Sequence, residues 1–384
     1  MNPNAEFDII VYGATGFTGR LVAEHLAARY GVDGEVRWAM AGRSADKLAQ
    51  VRDEIGAPAN TPLIVADAAD PASLRAMVAR GKAILTTVGP YQLYGSDLVA
   101  ACAATGTDYL DLSGEPTWMA EMIVAHDAAA KASGARILFS CGFDSIPFEL
   151  GVFYTQRLAR ARLGHSVPRI KGRLRSMNGG LSGGTAASGA ATMDAIRRNP
   201  ALFQLMINPF ALTPGFTGPA QPSGNETAFD EDVGAEVGPF MMAAINTKNV
   251  HRSNFLQGHP WGTDFAYDEM SVPAPGSSTS FTDLGGAGAP KPGEGPSLEE
   301  RENGFYDILF VGIAADGRKV RVSVKGDRDP GYGSTSKMMA ETAIQLIGTP
   351  ATPGGVWTPG AALGAPLIDR LSARAGLTFT DETA

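Results

Sequence analysis

Gly13-Ala14-Thr15-Gly16-Phe17-Thr18-Gly19, preceded by the apolar run Phe7-Asp8-Ile9-Ile10-Val11-Tyr12, decides how this 384-residue chain folds. The run has the length of a β-strand, and behind the last glycine Leu21, Val22, Leu26 and Tyr30 recur at helical spacing. The glycines therefore occupy a strand-to-helix turn, the context in which such a motif binds a dinucleotide. Gly13 allows the tight turn, Gly16 lets the backbone approach a pyrophosphate, and Gly19 lets the helix pack closely on the strand. Unpaired N–H groups at the helix start, with the positive end of its dipole, then face the phosphates across Thr15, Phe17 and Thr18. The spacing is GxxGxxG rather than GxGxxG, so the βαβ context carries the reading, and a bare structural turn is its alternative.

Working outward, strand-length apolar runs alternate with helix-length amphipathic stretches as far as about Arg160. Strands are expected over Phe7–Tyr12, Val36–Ala41, Leu63–Ala66, Ala83–Val88, Tyr109–Leu112 and Arg136–Cys141. Helices are expected over Thr18–Tyr30, Ala45–Ile55, Pro71–Arg80, Ser96–Thr105 and Pro116–Ser133. This predicts an α/β chain whose first domain is a Rossmann doubly wound parallel sheet of six strands. Beyond Leu163 alternation takes over, in Arg169–Ser176, Phe305–Ala314 and Lys319–Lys325, and predicts a second α+β domain with a mostly antiparallel sheet. The Pro-, Gly- and Ser-rich residues 271–297 read as a mobile loop, and Ser334–Ile347 as a helix that returns to the first domain. The expected division is 1–163 for the NADP-binding domain, 164–333 for the second domain and 334–384 for the returning helix and tail.

The end of the second strand separates NAD from NADP. An Asp or Glu usually meets the ribose hydroxyls of NAD there, but this chain reads Ala41-Gly42-Arg43-Ser44, with no carboxylate before Asp46. Arg43 can hold a 2′-phosphate bidentately, assisted by Ser44 and Lys47, so NADP(H) is the expected cofactor. A solvated loop arginine is the alternative. Asp67, after the third strand, is placed either to accept from the adenine amino group or to make a turn.

Composition removes other classes. Lys plus Arg (32) against Asp plus Glu (40) gives a net charge of −8, without the basic excess that nucleic-acid binding needs. No apolar stretch approaches the ~20 residues of a transmembrane helix, which leaves room only for peripheral membrane contact. The first residues lack the basic start of a signal peptide, and Cys102 and Cys141 are too few for a disulfide scaffold, so a cytoplasmic setting is expected. The five histidines are scattered without metal-ligand spacing, so no metal is expected.

At GATGFTGR, AGRS, TTVGPY, YLDLSGE and CGFDSIPFELG the chain resembles the saccharopine dehydrogenase-like oxidoreductases, particularly their mycobacterial trans-acting enoyl reductase branch. MMAAINTKNVHRSNFLQ and KGDRDPGYGSTSKMMAE are similar to that branch too, so the resemblance spans nearly the whole chain. It implies a Rossmann domain with a mixed second domain, NADP(H), and reduction of an enoyl double bond on a carrier-bound lipid intermediate.

In an open α/β sheet the ligand lies beyond the carboxyl ends of the strands. After strand four, Val88, Gly89 and Pro90 can run alongside the nicotinamide ribose, and Tyr91 can either protonate a reduced enoyl thioester or pack beneath the nicotinamide. After strand five come Asp111, Ser113 and Glu115, with Ser113 expected as a helix cap before Pro116. After strand six, Asp144 has a catalytic reading and a capping one, shared with Ser145. Tyr332 sits on a turn from which it can reach the cleft, and Gly179–Gly184, before a helix over Thr185–Arg198, can either bring bare backbone to the cofactor or an anionic substrate group or serve as a flexible connection. Taken with the resemblance, these residues lead to the expectation of an NADPH-dependent reductase of an activated double bond; the enoyl thioester of a lipid or polyketide intermediate, small or carrier-bound, is the substrate that the resemblance implies, and a homodimer is admitted. One rival is a saccharopine-like imine or amino-acid dehydrogenase, whose dicarboxylate calls for an Arg-rich cleft; Arg169, Arg173 and Arg175 can supply one, and their alternation fits a solvated strand face equally well. The other is a module that binds NADPH or lipid without turnover.

Overall fold

The computed structural model describes residues 5–32, 34–180, 183–273 and 293–384. Its elements in chain order are β1 (Phe7–Tyr12), α1 (Phe17–Tyr30), β2 (Trp38–Gly42), α2 (Ala45–Glu54), β3 (Leu63–Val65), α3 (Pro71–Val78), β4 (Gly81–Thr86), α4 (Tyr91–Tyr94), α5 (Ser96–Thr105), β5 (Asp108–Leu110), α6 (Pro116–Ser133), β6 (Arg136–Leu138) and α7 (Ile146–Leu163). There follow β7 (Arg169–Asn178), α8 (Gly183–Arg198), α9 (Leu202–Ile207), β8 (Ala228–Asp230), β9 (Ala235–Pro239), α10 (Ala243–Leu256), β10 (Ala266–Ser271), α11 (Leu298–Glu302), β11 (Phe305–Ile313), β12 (Lys319–Gly326), a π-helical turn (Pro330–Ser334), α12 (Thr335–Ile347), β13 (Gly355–Trp357), α13 (Pro359–Arg374) and β14 (Leu377–Asp381).

The first sheet is parallel throughout, in the order β13-β6-β5-β4-β1-β2-β3. Every residue of β1 is buried, as expected of a strand covered by helices on both faces. Ile9, Val11 and Leu85 enter one apolar core, and Ile10, Tyr12 and Ile84 enter the core on the other side. The sheet has a seventh strand beyond the six expected: β13 pairs with β6 in the register Gly355↔Arg136 to Trp357↔Leu138. Three residues are too few to show a period, so no local pattern announces it.

The second sheet runs β14-β12-β11-β7-β10-β9-β8. Its pairs are antiparallel except β7 with β10. Helix α7 packs on β11 and β12, where Gly151 lets the Phe310 ring lie against the helix backbone. Helix α12 lies against α1, β4 and β1, while the last strand, β14, closes the far edge of the second sheet. Most of the stretch expected as a mobile loop, residues 274–292, lies outside the described residues. At its two ends Ser271 closes β10, and Ser297 caps α11 by accepting from Glu300 N while Glu300 accepts from Ser297 N.

Candidate functional site

The loop between β1 and α1 shows why its outer glycines are glycines. Gly13 has φ +92°, and a Cβ there would fall 2.7 Å from Thr87 Oγ1 and 2.9 Å from Val88 Cγ2. A Cβ on Gly19 would fall 2.2 Å from the Gly13 carbonyl oxygen, so no larger residue fits between helix and loop. Gly16 opens α1 without a side-chain cap and leaves the first N–H groups of the helix to a ligand. Thr18 is in the first turn, half-buried.

Beside this loop, at the ends of β2 and β3, a cavity of about 340 Å³ is lined by Thr15, Arg43, Ser44, Lys47 and Asp67. Ser44 Oγ accepts from Lys47 N and caps α2, fixing the loop from which Arg43 projects. Arg43 is exposed, and among the described residues no carboxylate lies within ion-pair distance of it. Asp67 Oδ1 accepts from Ala69 N and makes a local turn. The result is a polar hollow with an uncommitted guanidinium, chemistry suited to a phosphate monoester.

At the end of β4, Val88 is half-buried, Gly89 exposed and Pro90 buried. Helix α8 hangs over this turn: a Cβ on Gly89 would lie 3.7 Å from Ser188 Oγ, and Gln92 Nε2 donates to Thr192 Oγ1 at 3.3 Å. Tyr91 is buried, its ring stacked on Trp118 at 5.6 Å. Its hydroxyl donates to the Thr86 carbonyl and accepts from Leu112 N. Burial and the Asp111 charge push that phenol well above its ordinary pKa.

Ser113 does not cap α6. Its Oγ accepts from Glu115 N, and Glu115 itself takes the N-cap position of α6 without a side-chain bond to it. The Glu115 carboxylate turns instead to Tyr91 N (2.9 Å) and Gln92 N (2.8 Å), because α4, which precedes β5, presents its free N–H groups there. Asp111 accepts from Ser113 N, Ser140 N and the Tyr109 hydroxyl, tying the loops after β5 and β6 together; burial raises it to about 7. Neither Asp144 nor Ser145 caps α7 through its side chain. Ser145 Oγ accepts from Asn249 Nδ2 at 2.8 Å, and Asp144 Oδ1 is buried without a hydrogen-bond partner among the described residues. Burial lifts Asp144 to about 7.

Tyr332 lies in the π-helical turn, whose N–H groups at 331, 332 and 333 all donate to Asp329. Its ring meets Phe17 edge-on at 5.1 Å and its hydroxyl bonds Thr185 Oγ1 at 2.9 Å, so it joins the glycine loop to α8. Of the Gly179–Gly184 stretch, 181 and 182 lie outside the described residues, and Gly183 begins α8.

The arginines that would hold a dicarboxylate are spent within the second sheet. Arg169 pairs with Asp268, Arg173 with Asp230 (2.7 Å) and Asp268 (3.0 Å), and Arg175 with Asp307 (2.8 Å) and Glu382 (2.9 Å). Sequence reasoning missed α10, whose Asn246, Asn249 and Ser253 are buried and bond Glu269 of β10, Ser145 of the loop after β6 and Glu149 of α7. Three polar residues at helical spacing were a signal, but apolar periodicity does not register it.

Residues 9–138 match the family model of the saccharopine dehydrogenase NADP binding domain. Over 405 residues the chain is 37% identical to a trans-acting enoyl reductase of Mycobacterium ulcerans, covering 95% of this chain and 96% of the relative. It is 36% identical over 411 residues to a trans-acting enoyl reductase of Mycobacterium leprae, covering 97% of each. Apo saccharopine dehydrogenase (L-Glu forming) from Saccharomyces cerevisiae superposes with a TM-score of 0.56 at 12% identity, over 97% of this chain and 100% of that one. That likeness shows the fold.

Proposed function

Because the chain belongs to the trans-acting enoyl reductases of the saccharopine dehydrogenase-like group, we propose that it is an NADPH-dependent reductase of an enoyl thioester. The observation that carries this reading is the cavity of Thr15, Arg43, Ser44, Lys47 and Asp67 beside a loop whose Gly13 and Gly19 admit no Cβ. Arg43, Ser44 and Lys47 would hold the 2′-phosphate, Asp67 the adenine side, and Gly13 to Gly19 the diphosphate. Val88, Gly89 and Pro90 would flank the nicotinamide ribose, with Tyr91 beneath. NADPH, when bound, supplies the hydride. The chain's own part is to orient the acyl group under α8, exclude water and return a proton at the carbon next to the thioester.

Asp144 suits that last task better than Tyr91 or Tyr332. Its Oδ1 is buried without a hydrogen-bond partner among the described residues and burial raises the carboxyl to about 7, whereas the Tyr91 hydroxyl is held by Thr86 and Leu112 and the Tyr332 hydroxyl by Thr185. The saccharopine-like alternative loses its arginines to ion pairs and gains no support from the site. Among the described residues no helix is long and apolar enough to cross a membrane. A cytoplasmic setting, a carrier-bound acyl substrate, a homodimer and the division at 163 and 333 are part of the same proposal. The test is NADPH oxidation with enoyl-thioester surrogates, with the saturated product identified by mass. Stoichiometric NADPH binding without oxidation across an enoyl and imine panel would leave a binding module.

A further inference from the structure

Phe17, the aromatic residue inside the glycine-rich loop, is covered by groups from the far half of the chain. The Tyr332 ring meets it edge-on at 5.1 Å, and the Arg301 guanidinium lies 5.9 Å from its ring centroid. Gly295 passes so close that a Cβ there would fall 2.5 Å from Phe17 Cε1. The stretch 293–301 is fixed in this place by contacts at both ends. The Glu294 carbonyl accepts from Gly183 N at the start of α8, and a Cβ on Gly180 would lie 3.2 Å from the buried Pro296. At the other end the capping box of Ser297 and Glu300 sets the first turn of α11, and the Arg301 carbonyl accepts from Asp329 N at 3.1 Å. Arg301 therefore reaches the start of α1 from an element that leads directly into β11 of the second sheet.

Its charge has no protein partner there. Among the described residues Arg301 Nε is buried without a hydrogen-bond partner, and no carboxylate lies within ion-pair distance of the guanidinium. The neighbouring acids are already engaged. Asp329 accepts from the N–H groups of residues 331, 332 and 333, Asp327 pairs with Arg328 and Lys337, and Glu300 accepts from Ser297 N. The Phe17 face attracts the cation but offers no acceptor to its N–H groups, and a buried donor left without one is costly. At the same spot α1 has donors to spare. Gly16 caps it without a side-chain bond and its first turn holds no acid, so the N–H groups of Phe17 and Thr18 are without helical partners. Arg20, the first cation of α1, is turned back to Glu54 at 2.8 Å. Backbone donors from one sheet and a guanidinium from the other thus meet at Phe17, which is the chemistry of an anion site.

We propose that Arg301 binds the diphosphate of the dinucleotide, closing on it from the side of the second sheet while the N–H groups of α1 hold it from the first. This rests on the NADP(H) reading of the glycine loop. The diphosphate is the part of the cofactor singled out, because Arg301 packs on the residue that opens α1. None of residues 293–301 lines the cavity of Arg43, Ser44 and Lys47 assigned to the 2′-phosphate. A diphosphate carries two negative charges and presents paired oxygens, which a guanidinium fork meets with two parallel hydrogen bonds. The Phe17 ring is then the platform on which the fork lies. Because NADPH and NADH share the diphosphate, Arg301 adds affinity for both and preference for neither, which sets it apart from Arg43.

Calorimetry separates this contact from its neighbours with NADPH, NADH, ADP-ribose and adenosine 2′-monophosphate, the last of which has no diphosphate. Arg301→Met keeps a hydrocarbon stem on Phe17 and takes no partner from an acid, so folding is preserved. The variant should weaken NADPH, NADH and ADP-ribose alike, by about tenfold to a hundredfold, the range for hydrogen bonds to a charged group. Adenosine 2′-monophosphate should bind as it does to the wild type, and the ratio of NADPH to NADH affinity should not move. ADP-ribose binding equal in wild type and Arg301→Met overturns the proposal. A parallel loss of adenosine 2′-monophosphate also overturns it, since Arg301 would then support the whole domain without touching the diphosphate. A loss confined to NADPH would move Arg301 to the 2′-phosphate and overturns it equally. If the wild type binds none of the four, the NADP(H) reading of the loop falls first and the proposal with it.

Discussion

Replacing Arg43 by Ala removes the guanidinium that faces the cavity at the end of β2. The size of the effect follows from what surrounds it. Arg43 has no carboxylate in ion-pair distance among the described residues, so no internal partner is left exposed by its loss and the fold should be indifferent. What is lost is a charge-assisted pair of hydrogen bonds to the 2′-phosphate, worth about 1.5–3 kcal/mol for bonds to charged groups. Because Arg43 is exposed, solvent and salt screen it and the lower half of that range applies. With each 1.4 kcal/mol worth a factor of ten, Arg43→Ala should weaken NADPH about tenfold, and up to about a hundredfold at low salt. NADH has no phosphate at that position and should hardly change. Fluorescence titration of both cofactors against wild type and Arg43→Ala, at two salt concentrations, measures the difference. Equal affinity of the wild type for NADPH and NADH, or parallel loss of both in the variant, would refute the assignment of Arg43 to the phosphate.

Gly19→Ala should abolish binding of both cofactors, since its Cβ would lie 2.2 Å from the Gly13 carbonyl oxygen and drive α1 off the loop; calorimetry with NADPH and NADH distinguishes this from the selective loss at Arg43. Tyr91→Phe should cost stability by about 1–3 kcal/mol, two ordinary hydrogen bonds, with single-cycle turnover changed less than threefold; a loss of about a hundredfold would return the phenol to the role of acid. Asp111, Asp144, Glu149 and Glu269 are held by burial at about 7, 7, 7 and 8, so the folded chain binds more protons than the unfolded one above pH 4 or so. Their contribution is complete in acid and lost as pH rises through those values, so the melting temperature without cofactor should fall by several degrees between about pH 5.5 and 8.5. Asp8, Asp230, Asp232 and Glu341 are held low by neighbouring cations and donors, and their contribution disappears only below the ordinary carboxylate range. A melting temperature that rises across the upper interval would contradict this account.

The first domain was legible because its information is local. β1 is found at Phe7–Tyr12, α5 at Ser96–Thr105 and α6 at Pro116–Ser133, the residues that strand length, helical spacing and the Pro and Gly boundaries indicate. Gly13, Gly19, Arg43, Ser44, Lys47 and Asp67 were legible for a related reason: a strand-to-helix turn fixes where each must lie within a few residues of chain. Elsewhere the partner is remote. β13 joins the first sheet only by pairing with β6, more than two hundred residues earlier, and three residues hold no period. The Arg169, Arg173 and Arg175 alternation reads as a solvated face or an anion cleft until the tertiary structure sets Asp230, Asp268, Asp307 and Glu382 against it. Glu115 looks like part of the start of α6, yet it serves α4. Helix α10 hides most completely, because apolar patterning reports burial of hydrocarbon alone. A buried Asn or Glu is stabilised by donors and acceptors from other elements, and only the folded chain brings Asn246 to Glu269 and Asn249 to the loop of Asp144.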